Sequence, residues 1–279
     1  MNATVSAEDE PPDIPFTKMQ GCGNDFIILE LNTDHYANLH KLCDRHFGIG
    51  ADQVLLIQPS DVADAKMVVL ERDGSQSDMC GNGIRCVARY LIERKGFGPN
   101  VRIETRAGIK EVLRVEDLFQ VDMGAPRNVF SFTFHFEGHE YDCVFVNSGE
   151  PHVVMFVPDV DQFNLHACAA HIRTLQNLPE TRVNVNLVHV VNETMIRIRT
   201  FERGVEAETL SCGTGATACT IAAVIARNMQ NTLTVITRGG PLVVDCTQNP
   251  ILLGPADIVF DGVIKKDRSA CNVPLIVFE

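Results

Sequence analysis

The sequence has no tryptophan and only three tyrosines among its 279 residues. Proteins that bind single-stranded nucleic acid stack the bases on aromatic side chains, so this composition does not favour such a role. Basic residues are also scarce: 24 lysines and arginines stand against 36 acids, for a net charge of −12. Phosphate backbones repel a chain of this charge unless a basic stripe offsets it, and the sequence has none. We therefore predict no nucleic-acid partner.

Long apolar runs and an export signal are lacking too. No window contains 18 consecutive apolar residues, so neither a membrane-spanning helix nor a membrane partner is expected. Residues 1–15 are acidic and proline-bearing, whereas a secretory leader would be basic and then apolar. This stretch predicts a flexible tail, with order beginning near Phe16, on a cytoplasmic protein.

Cysteine is abundant, but its spacing excludes one common use. The ten cysteines contain no Cys-x-x-Cys pair, which argues against a structural zinc site. A chain of this length without an export signal is also a poor candidate for a disulfide framework. We expect free thiols, most of them small buried hydrophobic residues, and no metal site.

The hydrophobic content, 45% of the residues, is sufficient for a packed core. Short β-branched or apolar runs predict strands, and helical periodicity is plainest in two later segments. A further helix is expected over 36–47. The strand candidates are residues 26–31, 54–58, 67–71, 101–105 and 111–115, and the two clear helices are 84–95 and 216–228.

The two clear helices begin with the same motif. Cys-Gly-x-Gly occurs at 80–83 and again at 212–215, 132 residues later, which is close to half the chain. We predict an α+β fold of two pseudo-symmetric halves, each a β-sheet or barrel wrapped around a central helix. The N-terminal half covers 16–126 and the C-terminal half 127–264. A last strand within 265–279 can join the N-terminal half or remain with the C-terminal one.

Each Cys-Gly-x-Gly turn has a chemical consequence. Its glycines leave the first N–H groups of the helix open to an anion such as a carboxylate. The positive end of the helix dipole favours the thiolate of the neighbouring cysteine, so we expect its pKa to be lowered. If the halves face each other, two thiols flank one carboxylate. Such a pair can remove a proton from one face of an α-carbon and return one to the other.

The chain resembles the diaminopimelate epimerase family of cofactor-independent amino-acid epimerases from about Phe16 onward. The resemblance implies an enzyme with two α/β halves of like fold and a cleft between them. It also implies no metal, PLP or nicotinamide, and a homodimer. The matching segments are Phe-Thr-Lys-Met at 16–19, Gly-Asn-Asp-Phe at 23–26, Asp-Arg-His at 44–46, Gly-Ile-Gly-Ala-Asp at 48–52, Asp-Gly-Ser at 73–75, Cys-Gly-Asn-Gly-Ile-Arg at 80–85, Pro-His at 151–152, Asn184, Glu-Arg-Gly at 202–204, Glu-Thr at 208–209 and Cys-Gly-Thr-Gly at 212–215.

The resemblance also assigns roles to individual residues. Cys80 and Cys212 match the catalytic acid and base, and which of them is the base in which direction stays open. Asp73 and His152 match supporting positions, for which a hydrogen-bonded turn is an equally weighted alternative. The positions that match substrate contacts are Asn24, Asn184, Glu202 and Arg203, with Glu202 expected near the reacting ammonium, and the backbone donors to the substrate carboxylate at Gly81, Asn82, Gly213 and Thr214.

Two positions depart from the family pattern. The family has asparagine at the start of Asn-Ala-Asp-Gly-Ser and within Gly-Asn-Pro-His, where this chain has Glu71 and Glu150. In the family these amides help to recognise the distal end of diaminopimelate, including its second carboxylate. Two glutamates repel a distal carboxylate and favour a cation. The expected substrate is therefore a small basic amino acid: histidine, lysine, ornithine or arginine.

Other interpretations remain at this point. One or both glutamates could turn away, pair with Arg203 or Arg72, or be protonated, which would leave diaminopimelate acceptable. The chain would then convert LL- to meso-diaminopimelate for lysine and peptidoglycan synthesis. An isomerase that moves a proton within a small ring or alkene acid would not need two cysteines. A non-catalytic scaffold would be expected to have lost one of them.

Overall fold

The computed structural model describes residues 13–32, 38–180 and 182–264. The predicted last strand, within 265–279, lies outside them. The described residues form eighteen connected β-strands and three α-helices. Within this part of the chain no helix is both long and apolar enough to cross a membrane.

The N-terminal half surrounds one helix with eight strands. Strand β3 runs parallel to β2 and β6 runs parallel to β4, while the hairpins are antiparallel. The elements are β1 (Ile14–Gly21), β2 (Asn24–Glu30), β3 (Gln53–Gln58), β4 (Ala65–Leu70), β5 (Gln76–Ser77), α1 (Gly81–Lys95), β6 (Asn100–Thr105), β7 (Gly108–Val115) and β8 (Leu118–Asp122).

The C-terminal half repeats this order. Strand β12 runs parallel to β11 and β15 runs parallel to β13, as β3 and β6 do in the first half. One additional helix, α2, lies between β11 and β12. The elements are β9 (Arg127–Phe136), β10 (His139–Asn147), β11 (Pro151–Phe156), α2 (Leu165–Ile172), β12 (Asn184–Asn192), β13 (Met195–Glu202), β14 (Ala207–Thr209), α3 (Gly213–Arg227), β15 (Thr232–Thr237), β16 (Gly240–Asp245), β17 (Ile251–Gly254) and β18 (Asp257–Ile264).

Strand pairing joins the halves. Strand β9 follows the N-terminal half and pairs with β10, and β18 follows the C-terminal half and pairs with β1. Strands β8 and β17 pair directly with each other. Residues 257–264 therefore lie in the sheet of the N-terminal half, whereas the sequence analysis placed them in the C-terminal half. The repeated order confirms the predicted α+β fold of two related halves.

The central helices α1 and α3 share one hydrophobic core. Both span 15 residues and end where a residue adopts left-handed backbone, at Gly96 and Asn228. These residues accept φ values above zero more readily than most, so they stop the helices cleanly. Cys86 and Cys219 are completely buried on the inner faces. They pack in the core, as predicted.

Two local predictions need correction. Strand β1 begins at Ile14, inside the predicted tail. The helix expected over 36–47 is replaced, in its described part, by a short 3-10 helix at Leu39–Cys43. It ends because Asp44 is extended and its carboxylate accepts the N–H groups of His46 and Phe47 at 2.7 and 2.8 Å. These local hydrogen bonds compete with helix continuation.

Candidate active site

Cys80 and Cys212 occupy equivalent positions at the starts of α1 and α3. Their backbone angles are nearly identical, with φ −129° and ψ 115° at Cys80 and φ −129° and ψ 116° at Cys212. Each sulfur accepts the N–H of the second glycine of its motif, Gly83 or Gly215, at 3.3 Å. A side chain that accepts this N–H is a helix N-cap. The repeated motif therefore builds the same cap twice.

The two helix starts meet each other at glycines. A Cβ placed on Gly81 would lie 3.5 Å from the Gly213 Cα, and one placed on Gly213 would lie 3.4 Å from the Gly81 Cα. A Cβ on Gly213 would also lie 3.0 Å from Leu252 Cδ2, which is tighter than ordinary packing. The two helix N-termini are therefore in van der Waals contact with each other. Since the first N–H groups of a helix lack partners within the helix, those of both helices are available to a ligand in the region where the halves meet.

The two thiols lie in surroundings that oppose ionisation. Burial raises the pKa of Cys80 to about 12, and the carboxylates of Glu71 and Glu202 act in the same direction. Burial, followed by the charge of Glu202, raises the pKa of Cys212 well above its usual value. The lowered thiol pKa expected from the helix dipole is therefore wrong for the free protein. Loss of solvation outweighs the dipole.

Glu202 lies beside both thiols. Its carboxylate accepts hydrogen bonds from Thr209 and from the Cys212 thiol. Burial raises its pKa to about 7, to which the nearby charges of Glu71 and Asp52 contribute. A carboxyl group with this pKa exchanges protons near neutral pH.

On the Cys80 side, hydrogen bonds fix a pair of asparagines. Asn24 Nδ2 donates to Asp52 Oδ2 at 2.8 Å, so its Oδ1 points the other way. That oxygen lies 3.8 Å from Cys80 Sγ and 3.4 Å from Asn82 Nδ2. Since a carboxylate can only accept, Asp52 determines which end of the Asn24 amide faces the thiol. Arg45 holds Asp52 through its other oxygen at 2.9 Å.

On the Cys212 side, the polar groups converge on His152, which is completely buried in β11. Asn186 Nδ2 donates to the Val153 carbonyl at 3.4 Å and to His152 Nδ1 at 3.0 Å. The ring proton is therefore assigned to Nε2, which donates to Thr214 Oγ1 at 3.0 Å. Thr214 Oγ1 lies 3.3 Å from Cys212 Sγ. His152 thus reaches Cys212 through a hydroxyl group.

Burial is the main reason why the pKa of His152 falls to about 3, and the positive charge of Arg203 adds to it. The imidazole is neutral at physiological pH. It supplies one oriented N–H to Thr214.

The residues that depart from the family pattern have clear partners. Glu150 Oε2 accepts from Arg203 Nε at 2.7 Å, and Arg203 Nη1 also contacts Glu180 Oε2 at 3.4 Å. One guanidinium is therefore shared by two carboxylates. The backbone N–H of Arg203 donates to Asn184 Oδ1 at 2.8 Å, which places Asn184 at the same wall.

Glu71 is different. Its Oε1 accepts from Gln53 Nε2 at 2.6 Å and from the Ser77 hydroxyl. None of the ion pairs formed within 13–32, 38–180 and 182–264 includes it. Burial raises its pKa, and the negative charges of Asp73 and Asp52 add to this shift.

Comparison with known proteins identifies the arrangement. The family model for diaminopimelate epimerase matches residues 16–129 and 144–259. The chain belongs to the diaminopimelate epimerase family. A diaminopimelate epimerase of Archaeoglobus fulgidus is 38% identical over 276 residues, covering 90% of this chain and 96% of the relative. Another, of Methanothrix thermoacetophila, is 40% identical over 277 residues, covering 91% and 97%.

Solved structures show the same fold at low identity. A phenazine biosynthesis protein of the PhzF family from Bacillus anthracis has a TM-score of 0.72 and 16% identity, covering 91% of this chain and 100% of that protein. A hydroxyproline epimerase from Agrobacterium vitis, with trans-4-hydroxy-L-proline bound, has a TM-score of 0.69 and 16% identity, covering 90% and 92%. Family membership confirms the predicted class, an isomerase of the racemase and epimerase type.

Most residues that the family resemblance singled out lie in this region between the halves. Asp73 is an exception, because it is exposed and bonds to the backbone and hydroxyl of Ser75 within its own turn. Three contributing residues were missed: Gln53, Asp52 and Asn186. Gln53 follows the Gly-Ile-Gly-Ala-Asp motif directly, which could have drawn attention to it. Its Oε1 is buried and has no hydrogen-bond partner in the part of the chain that the structure describes, so it offers an acceptor beside Glu71.

The raised thiol pKa values lead to a first prediction. Alkylation of Cys80 and Cys212 by iodoacetamide should require alkaline conditions in the free protein, with midpoints above about pH 9. Mass mapping of the modified peptides across pH measures each thiol separately. Because Glu202 raises both pKa values, Glu202→Gln should lower both midpoints. Midpoints at or below pH 7 in the wild type would contradict this account.

Proposed function

We propose that this member of the family is a cofactor-independent racemase that inverts the α-carbon of a basic amino acid. Histidine, lysine, ornithine and arginine are the candidate substrates. The proposal depends on the charge of Glu71, Glu150, Glu180 and Arg203, which we take to form one acidic wall of the site. The observation that supports it is that the Arg203 guanidinium is shared by Glu150 and Glu180, while Glu71 has no cationic partner among the described residues.

Substrate binding follows from the paired helix starts. The reacting carboxylate lies over the open N–H groups of Gly81, Asn82, Gly213 and Thr214, where two helix dipoles favour negative charge. Glu202 accepts the reacting ammonium. Asn24 and Asn184 line opposite sides of the same cleft. This arrangement leaves the α-carbon between the two sulfurs.

Inversion needs one thiolate and one thiol. The thiolate removes the α-proton from one face, and the other thiol delivers its own proton to the opposite face. Negative charge that develops on the carboxylate in the carbanion is stabilised by the fixed N–H donors, which require no reorganisation. For the opposite enantiomer, Cys80 and Cys212 exchange roles. Closure of the halves over the substrate excludes water and strengthens each of these interactions.

The basic side chain then meets the acidic wall. Glu71 Oε2 and the buried Gln53 Oε1 offer acceptors to a cation, and a distal carboxylate would be repelled there. The alternative substrate is diaminopimelate, which the names of the relatives favour. The Arg203–Glu150 pair also supports it, because pairing removes part of the repulsion that a second carboxylate would meet.

Replacement of both glutamates by asparagine distinguishes a basic amino acid from diaminopimelate as the substrate. Glu71→Asn with Glu150→Asn should weaken turnover of the basic amino acid and raise turnover of diaminopimelate, since amides donate to a carboxylate. The change should amount to about 1 to 3 kcal/mol, or roughly tenfold to a hundredfold. It is measured as kcat/KM for histidine, lysine, ornithine, arginine and meso-diaminopimelate.

A control with Glu116→Asn and Glu140→Asn removes the same charge from two exposed positions and should change neither preference. Incubation of each candidate in heavy water, followed by detection of deuterium at the α-carbon, tests the reaction class independently. A wild type that prefers diaminopimelate, with a double variant that behaves the same, would assign the alternative substrate.

A further inference from the structure

Arg85 is completely buried in the second turn of α1. Its guanidinium donates from Nε to the Pro255 carbonyl at 3.1 Å, from Nη1 to the Gly81 carbonyl at 3.0 Å and from Nη2 to Asn82 Oδ1 at 2.9 Å. All three acceptors are neutral. No carboxylate forms an ion pair with it in the part of the chain that the structure describes. An arginine in such surroundings is costly, because buried charges are normally paired.

The contact with Asn82 has consequences for both thiols. A guanidinium only donates, so Asn82 must turn Oδ1 toward Arg85 and Nδ2 away from it. Asn82 Nδ2 then donates to the Ser211 carbonyl at 3.2 Å and lies 3.4 Å from Asn24 Oδ1. Ser211 directly precedes Cys212, and Asn24 contacts Cys80. One amide, oriented by Arg85, therefore links the surroundings of the two cysteines across the halves.

The second half shows that a helix start of this kind does not need an arginine. The position five residues after Cys212 is Thr217, which corresponds to Arg85 after Cys80. Thr217 Oγ1 donates to the Gly213 carbonyl at 2.9 Å, and this repeats the bond from Arg85 to Gly81. The N-terminal half has two features that Thr217 does not repeat: the positive charge of Arg85 and its hydrogen bond to the Asn82 side chain. These two properties call for an explanation beyond support of the helix.

We propose that Arg85 is a positioning residue of the two-thiol site. It locks the Asn82 amide that ties α1 to Ser211, and it places a buried positive charge behind the carboxylate-binding end of α1. The charge opposes Glu71 and Glu202, the carboxylates that face Cys80. Burial lowers the pKa of Arg85, and the charges of Cys22, Cys86 and Cys80 act in the opposite direction. The cation gains a counter-charge when the substrate carboxylate binds or when Cys80 ionises. The first of these two events rests on the proposed function.

Two substitutions separate the charge from the hydrogen bonds. Arg85→Gln keeps a donor for Asn82 but removes the charge, whereas Arg85→Lys keeps the charge but loses the planar fork. We expect kcat to fall by about 10²-fold in Arg85→Gln, by less in Arg85→Lys, and KM to change less than kcat. Alkylation of Cys80 at a fixed alkaline pH should slow about tenfold in Arg85→Gln, one unit of pKa. Thr217→Val, the matched control, should leave the alkylation of Cys212 unchanged.

Alkylation needs no substrate, so its result is independent of the proposed function. If alkylation of Cys80 is slower in Arg85→Gln than in the wild type, but the wild type turns over no amino acid, the role of Arg85 is supported and the proposed function is rejected. The proposal is overturned if Arg85→Gln keeps the wild-type kcat and alkylation profile. It is also overturned if Arg85→Gln and Arg85→Lys lose activity only in proportion to a loss of folded protein, measured by circular dichroism, with unchanged alkylation of the folded fraction.

Discussion

Replacement of either Cys80 or Cys212 by alanine should abolish stereoinversion, with turnover lower by at least about 10³-fold. In the proposed mechanism each thiol serves one face of the α-carbon, so loss of one leaves its partner unable to complete the exchange. The assay monitors the conversion of one enantiomer to the other by circular dichroism. Substantial racemase activity in either variant would rule out the two-thiol mechanism.

Controls for this result lie on the same helices. Cys86→Ala and Cys219→Ala remove completely buried core thiols and should cost some stability but retain inversion. Serine at Cys80 or Cys212 tests the roles further. One serine variant should keep elimination from a β-halogenated substrate, which needs only one base. Loss of elimination in both serine variants would argue against independent acid and base roles.

Gly239→Ala should strongly lower the free energy of unfolding. Gly239 lies between β15 and β16 and packs on the turn that joins β1 to β2. A Cβ on Gly239 would lie 1.7 Å from the Cys22 carbonyl oxygen, a backbone atom that cannot move alone. Cys22 already has φ 52° and Gly23 has φ 80°, so the turn has little freedom to adjust. We expect at least about 3 kcal/mol of destabilisation.

The measurement is equilibrium unfolding in urea, monitored in parallel with activity. Gly98→Ala is the matched control, because a Cβ at Gly98 would meet none of the described residues within 4 Å and its φ is not left-handed. This control should behave like the wild type. Activity of Gly239→Ala should fall as well, since the displaced turn leads directly into Asn24. Equal stability of the two variants would show that this contact between the halves is looser than described.

Several features of the site could be predicted because they depend on local chemistry. The two Cys-Gly-x-Gly motifs predicted two helix starts, each with a cysteine beside it, and the structure places Gly81 and Gly213 of these motifs in van der Waals contact. The repeat predicted two halves, since equal local patterns fold alike. The helix predicted over 36–47 was wrong because Asp44 forms its own local hydrogen bonds there. The homodimer and the cytoplasmic location stay predictions.

The sequence by itself determined the family, the repeat and the thiol pair, because these are carried by residue types at fixed spacing. Only the tertiary structure decided the electrostatics. Burial reversed the expected direction of the thiol pKa shifts, and contacts between distant segments paired Arg203 with Glu150 but gave Glu71 no cationic partner among the described residues. Solvation and charge at a site depend on every segment packed around it. A spacing pattern specifies only the local chain.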